Sequence, residues 1–182
     1  MPRYQPLDET QLNPEQRRVW DACKAGPRGA VPPPVHVWLK SPGLADHAHQ
    51  LGAHVRFGTD FTPKQTEIAI LMTARYWTAQ FEWAAHVRLA LKAGLSQEQI
   101  DAIAERRPPR FSDADDQLVY DFCRDYYTDH RVSADTYERV VGRWGDKGIV
   151  DLAGLIGYYS FVSVTLNTFE VPTPPDANLL PR

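Results

Sequence analysis

The sequence predicts an all-α fold, and three observations lead to that prediction. Helix-start signals recur along the chain, each a capping residue followed by a proline or a glutamine. The apolar residues between 79 and 93 return at the 3.6-residue period of a helix. The chain of 182 residues has neither a βαβ alternation nor a repeat of fixed period. Together these features predict helices joined by short connections.

The first third of the chain is predicted to contain two helices and a rigid connector. Asn13 is followed by a proline, which is an N-cap signal and predicts a helix over about 14–24. Residues 27–34 (PRGAVPPP) are too rich in proline for regular structure, and residues 36–39 (HVWL) are predicted to be extended. A second helix, again opened by proline, is predicted over 42–57.

The central third is predicted to contain the most buried helix. Thr62, Pro63 and Gln65 form a capping box with proline in the first turn. The run that follows, EIAILMTARYW, is apolar almost all round, which indicates a central helix. A second helix ending at Gly94 and a third capped by Ser96 are expected after it.

The last third is predicted to contain three helices and a tail. The helices cover about 112–127, 133–141 and 147–166. The tail, VPTPPDANLLPR, is punctuated by proline and is predicted to be an extended arm. Such an arm either lies across a neighbouring subunit or stays in solvent.

Length and composition favour a single domain spanning residues 1–182. The net charge of −3 and the lack of a basic block argue against a nucleic-acid partner. No apolar signal segment begins the chain, and no stretch reaches the ~18 apolar residues of a membrane helix. Cys23 and Cys123 form no CxxC and are expected to be core-facing thiols, with a disulfide as the alternative. We therefore expect a cytoplasmic protein that does not bind membranes.

Glu82 and His86 are the candidate functional pair. They are four residues apart, so they share one helix face, and small and apolar residues occupy the same face. An unpaired buried carboxylate is costly to desolvate and tends to take up a proton, whereas an adjacent imidazole can compensate it. Such a pair can hold and transfer a proton.

Glu67 is a second acid on an apolar face, at the start of the central helix. Its distance from His86 is open, because the two come together only if their helices cross there or follow a tight turn. The alternative interpretation of Glu82 and His86 is a satisfied core pair that ties two helices together.

Aromatic residues flank the pair along the chain. Tyr76, Trp77 and Trp83 are predicted to bind substrate, because aromatic walls commonly surround a small organic ligand. Core packing is the alternative for these residues. Tyr158 and Tyr159 of the last helix are assigned to core packing in preference to a pocket.

The three histidines His47, His49 and His54 do not predict a metal site. On a helix the first two point to different faces, and residues 47 and 54 are about 10 Å apart along the axis at about 1.5 Å per residue. One zinc ion holds its ligands at about 2 Å. They are expected to be surface or capping histidines, and neither a metal nor an organic cofactor is predicted.

Residues 67–103 resemble the carboxymuconolactone decarboxylase and alkylhydroperoxidase AhpD superfamily. The shared features are a Glu at the start of an apolar helix, an acidic or Cys position four before a His, and Ala-x-x-x-Gly-Leu-Ser before an amphipathic helix. The core motif covers 62–105. The resemblance implies an AhpD-like all-α fold and a homo-oligomer, a trimer or hexamer, with pockets near subunit contacts.

Peroxidase members of this superfamily use a CxxC, and here its two positions are Ala79 and Glu82. Glu67 and His86 keep the positions of the proton relay. Thiol-dependent peroxide reduction needs a reactive thiolate, so the resemblance implies that this chemistry is lost. Decarboxylase members resemble this chain in having a Glu four before the His. Thr66 and the lack of a Gly-Pro in the last helix depart from the decarboxylase pattern and leave the lactone substrate open.

The resemblance implies a lyase that acts on a small unsaturated lactone or acid by cofactor-independent proton transfer. Decarboxylation, isomerisation and hydrolysis are all compatible with it. Glu67, Glu82 and His86 would be catalytic: His86 as the acid or the group that stabilises a dienolate, Glu82 as the partner that sets its tautomer, and Glu67 as the end of the shuttle. The alternatives are a peroxidase-related protein without thiol activity and a non-catalytic binding protein on the same scaffold.

Overall fold

The computed structural model describes residues 2–181, and over that range it is all helical, with no strand. The predicted fold class is therefore confirmed. A short 3-10 helix (Glu9–Gln11) precedes eight α-helices. In chain order these are α1 (Pro14–Ala25), α2 (Pro33–Trp38), α3 (Pro42–Phe57), α4 (Pro63–Tyr76), α5 (Gln80–Lys92), α6 (Gln97–Ala104), α7 (Ala114–Asp129) and α8 (Ala134–Thr168).

The predicted capping signals start helices in the structure. Asn13, Thr62 and Ser96 each accept a hydrogen bond from the backbone N–H three residues later, and the glutamine at that position bonds back to the N-cap N–H. Each box satisfies two backbone donors that a helix start leaves free. These local bonds fix where α1, α4 and α6 begin.

The prediction of an extended segment at residues 36–39 is wrong, because α2 covers most of it. The preceding prolines have φ preset near the helical value, and a missing N–H is no loss in the first helical turn. Val35, Val37 and Trp38 of α2 are buried, and the Trp38 indole N–H donates to Thr165 Oγ1 at 2.9 Å. Tertiary packing thus favours a helix over the extended form that the short apolar run suggested.

The last two predicted helices form one element, α8, with a break at Gly145. Gly145 has φ 69° and ψ −175°, a left-handed backbone that glycine adopts without steric cost. Contrary to the sequence-based expectation, α8 is long and apolar enough to cross a membrane by length and composition, because it contains an 18-residue window with a mean hydropathy of 1.6. The structure buries 56% of that apolar window against the other helices, as it would in a core helix.

Helix α4 lies at the centre of the molecule and packs against α5, α7 and α8. Its residues 68–71 are fully buried, as the all-round apolar run predicted. A turn at residues 77–79, in which Thr78 has a φ of 49°, joins α4 to α5. The turn returns the chain along α4, so the acid near the start of α4 can contact α5.

The C-terminal arm folds back onto its own chain. Leu180 is buried, and its backbone N–H and C=O both bond to the Gln80 side chain at the start of α5, at 2.8 and 3.0 Å. Val171, at the start of the arm, is also buried. The described arm is therefore held to its own chain near both ends, and most of the residues at 172–179 between these two points are exposed.

Gly52 makes room for the contact between α3 and α8. A Cβ at this position would lie 2.1 Å from the Tyr158 hydroxyl oxygen and 2.9 Å from Arg28 Nη2. We expect Gly52→Ala to destabilise the fold by about 1–3 kcal/mol, as overpacked cores do. The test is the urea-induced unfolding free energy.

Gly157→Ala is the matched control, because a Cβ on Gly157 in α8 meets nothing within 4 Å. That control should keep or raise stability, by up to about 1 kcal/mol, since alanine is the better helix former. Equal stability of Gly52→Ala and wild type would contradict the described packing.

Candidate functional site

Glu67, Glu82 and His86 meet in the protein interior. His86 Nδ1 lies 2.6 Å from Glu67 Oε2, and His86 Nε2 lies 3.0 Å from Glu82 Oε1. Both ring nitrogens thus face a carboxylate oxygen at hydrogen-bonding distance. The distance from Glu67 to His86, which the sequence left open, is that of a direct hydrogen bond.

Local structure positions each of the three side chains. Glu67 lies in the second turn of α4, whose start is fixed by the capping box at Thr62. Glu82 lies in the first turn of α5, where the positive end of the helix dipole stabilises a carboxylate. His86 is one turn further along α5, so Glu82 reaches its ring by the i,i+4 geometry.

The cluster is almost completely withdrawn from water. Glu67, Glu82 and His86 are 5%, 4% and 5% exposed. Burial alone would lower the pKa of His86, but the charge of Glu82 and the hydrogen bonds to both carboxylates outweigh it and raise this pKa to about 9. At neutral pH His86 is therefore an imidazolium, which donates from Nδ1 to Glu67 and forms an ion pair with Glu82 at Nε2.

Arg56 of α3 adds a second cation behind the cluster. Its Nη2 lies 3.4 Å from Glu67 Oε1, the carboxylate oxygen that His86 does not use. The Arg56 side chain is 19% exposed, so this ion pair is only partly screened by solvent. Glu67 is thus held by a cation at each oxygen, which orients its carboxylate.

Two hollows meet this cluster from different sides. The first, called here the His86 pocket, has a volume of about 210 Å³ and is lined by Glu82 and His86, by Tyr158 and Tyr159, and by prolines 32–34. The second, called the Glu67 pocket, has a volume of about 690 Å³. Arg56 and Leu89 line both. The imidazole therefore connects a carboxylate at one pocket to a carboxylate at the other.

The predicted aromatic substrate site does not form around His86. Tyr76 and Trp77 line a different hollow of about 490 Å³ between α4, α7 and α8, where Tyr76 Oη lies 3.1 Å from His130 Nε2. Trp83 is 1% exposed and belongs to the core. The reason is helical geometry, because Trp83 directly follows Glu82 and so points about 100° away from it. That these three residues bind substrate stays a prediction, but they do not line the His86 pocket.

The sequence did not identify several residues that line the His86 pocket. Tyr158 and Tyr159 are buried as expected, but they also face this pocket, and the Tyr159 ring meets the His86 ring edge-on at 5.3 Å. Burial raises the pKa of Tyr159, which stays a neutral phenol. Arg28 comes from the proline-rich connector and Arg56 from the end of α3. No local spacing links these two arginines to His86, and only the fold joins them.

Neither cysteine can replace the lost CxxC. Cys23 and Cys123 are free and buried, and burial raises the pKa of both thiols. A thiol with a raised pKa supplies little thiolate at neutral pH. Neither thiol lines the His86 pocket.

The three histidines of α3 are paired with acids or exposed to solvent. His49 Nε2 lies 3.5 Å from Asp46, His54 Nε2 lies 3.2 Å from Asp151, and His47 is exposed. Within residues 2–181 no cluster of three or more His, Cys, Asp or Glu side chains has the arrangement of a metal site.

Sequence comparison assigns the central part of the chain to a family. Residues 42–117 match the model of the Carboxymuconolactone decarboxylase family. The match runs from α3 to the start of α7 and contains all three residues of the cluster. The chain thus carries a carboxymuconolactone decarboxylase family region, which confirms the resemblance seen in the sequence. No curated protein matches the chain significantly.

Structural comparison extends the likeness to the flanking helices. The crystal structure of the debrominase Bmp8 in its apo form is similar, with a TM-score of 0.70 and 14% sequence identity. The superposition covers 94% of this chain and 92% of that chain. At this identity the likeness shows the fold alone.

The charge of His86 should make stability depend on pH. Because the folded-state pKa is about 9 against an ordinary 6.5, the stabilisation is fully present below pH 6.5 and is lost as the pH rises through 9. Glu67→Gln removes one partner of the imidazolium. The Glu67→Gln variant should therefore have the greatest deficit in unfolding free energy, relative to wild type, below pH 6.5. This deficit should become smaller above pH 9.

Urea unfolding at several pH values measures this difference. Glu98→Gln, at an exposed position of α6, is the control and should give a small, pH-independent change. A Glu67→Gln penalty that stays constant from pH 6.5 to above 9 would argue against a charged His86.

Proposed function

We propose that this protein is a carboxymuconolactone decarboxylase-like lyase. It transfers a proton to carbon on a small unsaturated lactone or acid, without a cofactor. One observation carries the proposal: a buried imidazolium, bonded to two carboxylates, lines a hollow large enough for a small molecule. A proton store beside an accessible cavity is what a general acid requires.

The proposed reaction breaks the bond between a ring carbon and a carboxylate. The electron pair of that bond moves through the conjugated system to the lactone carbonyl oxygen, and carbon dioxide leaves. A proton then adds to carbon and restores the lactone carbonyl. The electron pair of the broken bond stays in the product and only a proton is added, so the reaction needs no oxidant or reductant.

In this proposal Glu67 and Glu82 exchange the roles that the resemblance implied, because Glu82 and not Glu67 lines the His86 pocket. Glu67 forms the shorter bond to His86 and does not line the His86 pocket, so it orients the ring and holds its charge. Glu82 lines the pocket and lies 3.0 Å from Nε2, so it is placed to pass the imidazolium proton to substrate carbon. His86 stores that proton and stabilises the dienolate oxygen electrostatically.

The pocket also has an apolar side. Phe81, Leu89 and Val162 contribute its apolar lining. A carboxylate held against apolar side chains loses the water that stabilises its charge, whereas the neutral carbon dioxide product needs no such stabilisation. This environment favours loss of the carboxylate.

We further propose a cytoplasmic homo-oligomer, a trimer or hexamer, on the resemblance to the family. Two apolar side chains at the Glu67 pocket, Phe57 and Leu89, are 49% and 37% exposed. Burial of such side chains against a second copy would stabilise the assembly.

Substitution of the proton store tests the proposal. With 4-carboxymuconolactone as the substrate, His86→Gln and Glu82→Gln should each lower kcat by about 10²–10⁴, the usual contribution of a general acid. Carbon dioxide release and the loss of ultraviolet absorbance of the lactone measure the rate. His47→Gln and Glu98→Gln are the matched controls at exposed positions and should keep full activity.

Two results would contradict the proposal. A folded His86→Gln variant with full turnover would remove His86 from the reaction. A wild-type chain that binds the lactone without consuming it would instead support the alternative of a non-catalytic binding protein.

A further inference from the structure

Arg28 is a cation in the wall of the His86 pocket whose hydrogen-bonding capacity is only partly used. Its Nη2 donates to the backbone oxygen of Gly52 at 3.0 Å, which fixes the guanidinium against α3. Its Nε–H is buried and has no hydrogen-bond partner among residues 2–181. A buried donor without a partner is costly, so it calls for an explanation such as a bound water, ion or ligand.

Tyr158 is a second unsatisfied donor at the same place. Its side chain is 3% exposed, and its hydroxyl adjoins the Arg28 guanidinium without a hydrogen bond of good geometry to it or to another described residue. The Arg28 guanidinium carbon lies 6.0 Å from the centre of the Tyr158 ring, and Gly52 leaves the space that both groups occupy. Two donors, one charged and one neutral, therefore lie side by side, Arg28 on the connector before α2 and Tyr158 on α8.

The charges around the pocket leave a positive excess. Arg28, Arg56 and the His86 imidazolium are three cations, and Glu67 and Glu82 are two anions. Arg56 is paired with Glu67, and His86 is shared between both acids. Arg28 has no acidic partner among the ion pairs of the described residues. The excess charge is thus that of Arg28.

We propose that Arg28 and Tyr158 bind a carboxylate that the substrate keeps throughout the reaction. The substrate class is then a small unsaturated acid or lactone with one anchored carboxylate. This inference rests on the proposed function in that it takes the reaction from it, whereas binding of the carboxylate by Arg28 and Tyr158 does not depend on that reaction. The Arg28 guanidinium and the Tyr158 hydroxyl both donate hydrogen bonds to the oxygens of this carboxylate. Such bonds are charge-assisted, because the carboxylate is ionised.

The anchor also explains how one pocket treats carboxylates differently. A carboxylate bonded to Arg28 is compensated and stays ionised in place. A carboxylate that contacts Phe81 or Val162 instead lacks the two donors Arg28 and Tyr158. Only the uncompensated carboxylate is disfavoured in the bound state, so it is the one that leaves.

Calorimetric titration with 2-furoate and its neutral amide, 2-furamide, tests the anchor without any turnover. The intact chain should bind the carboxylate at least tenfold more tightly than the amide. Arg28→Gln should weaken furoate binding at least tenfold and leave furamide binding unchanged. Tyr158→Phe keeps the buried ring and should weaken furoate binding to a smaller extent.

Matched controls separate this site from general electrostatics. Arg107→Gln removes one exposed cation, and Tyr137→Phe removes one exposed hydroxyl. Both should bind furoate like the intact chain. Thermal unfolding, monitored by circular dichroism, verifies that each variant is folded. If Arg28→Gln does not fold, furoate binding by Tyr158→Phe decides the test.

Failure of the anchor and failure of the reaction give different results. Any one of three results would overturn the anchor. The first is an intact chain that does not bind furoate, and the second is equal binding of the acid and the amide. The third is normal furoate binding by the Tyr158→Phe variant and by a folded Arg28→Gln variant. His86→Gln tests the reaction separately, because it leaves Arg28 and Tyr158 in place. Carboxylate binding that depends on Arg28, together with full turnover in His86→Gln, would support the anchor and contradict the proposed function.

Discussion

A buried imidazole between two carboxylates is the constraint on which the rest of this structure depends. Each of the three groups, if charged and alone, would cost several kcal/mol to remove from water. Together they compensate one another, since Glu67 and Glu82 occupy the two ring nitrogens of His86 at 2.6 and 3.0 Å. The compensation works only if the ring carries both protons, and this is why its pKa lies well above the ordinary value for histidine.

The fold around the cluster follows from this requirement. α4 must be buried on every side for Glu67 to be withdrawn from water, and the turn after residue 77 must be tight enough to return α5 to it. Arg56 then neutralises the remaining oxygen of Glu67 from α3. Gly52 allows α3 to approach α8 closely enough for Tyr158 to reach the same pocket. The contacts that hold the helices together thus also shape the pocket beside His86.

The sequence predicted what depends on nearby residues and missed what depends on the fold. The capping boxes and the i,i+4 pair of Glu82 and His86 were visible because helix geometry fixes them locally. The extended form predicted for residues 36–39 was wrong because prolines and tertiary packing favour a helix there. Arg28 could not be found from spacing, since it reaches the pocket from an irregular connector.

Neutron diffraction from crystals at neutral pH would test the central claim most directly, because it locates hydrogen isotopes on the ring. The account predicts deuterium on both Nδ1 and Nε2 of His86, pointing at Glu67 and Glu82. Deuterium on only one ring nitrogen, with the other facing a protonated carboxyl group, would contradict it. In that case the cluster would be a neutral hydrogen-bonded core and could not supply a proton from an imidazolium.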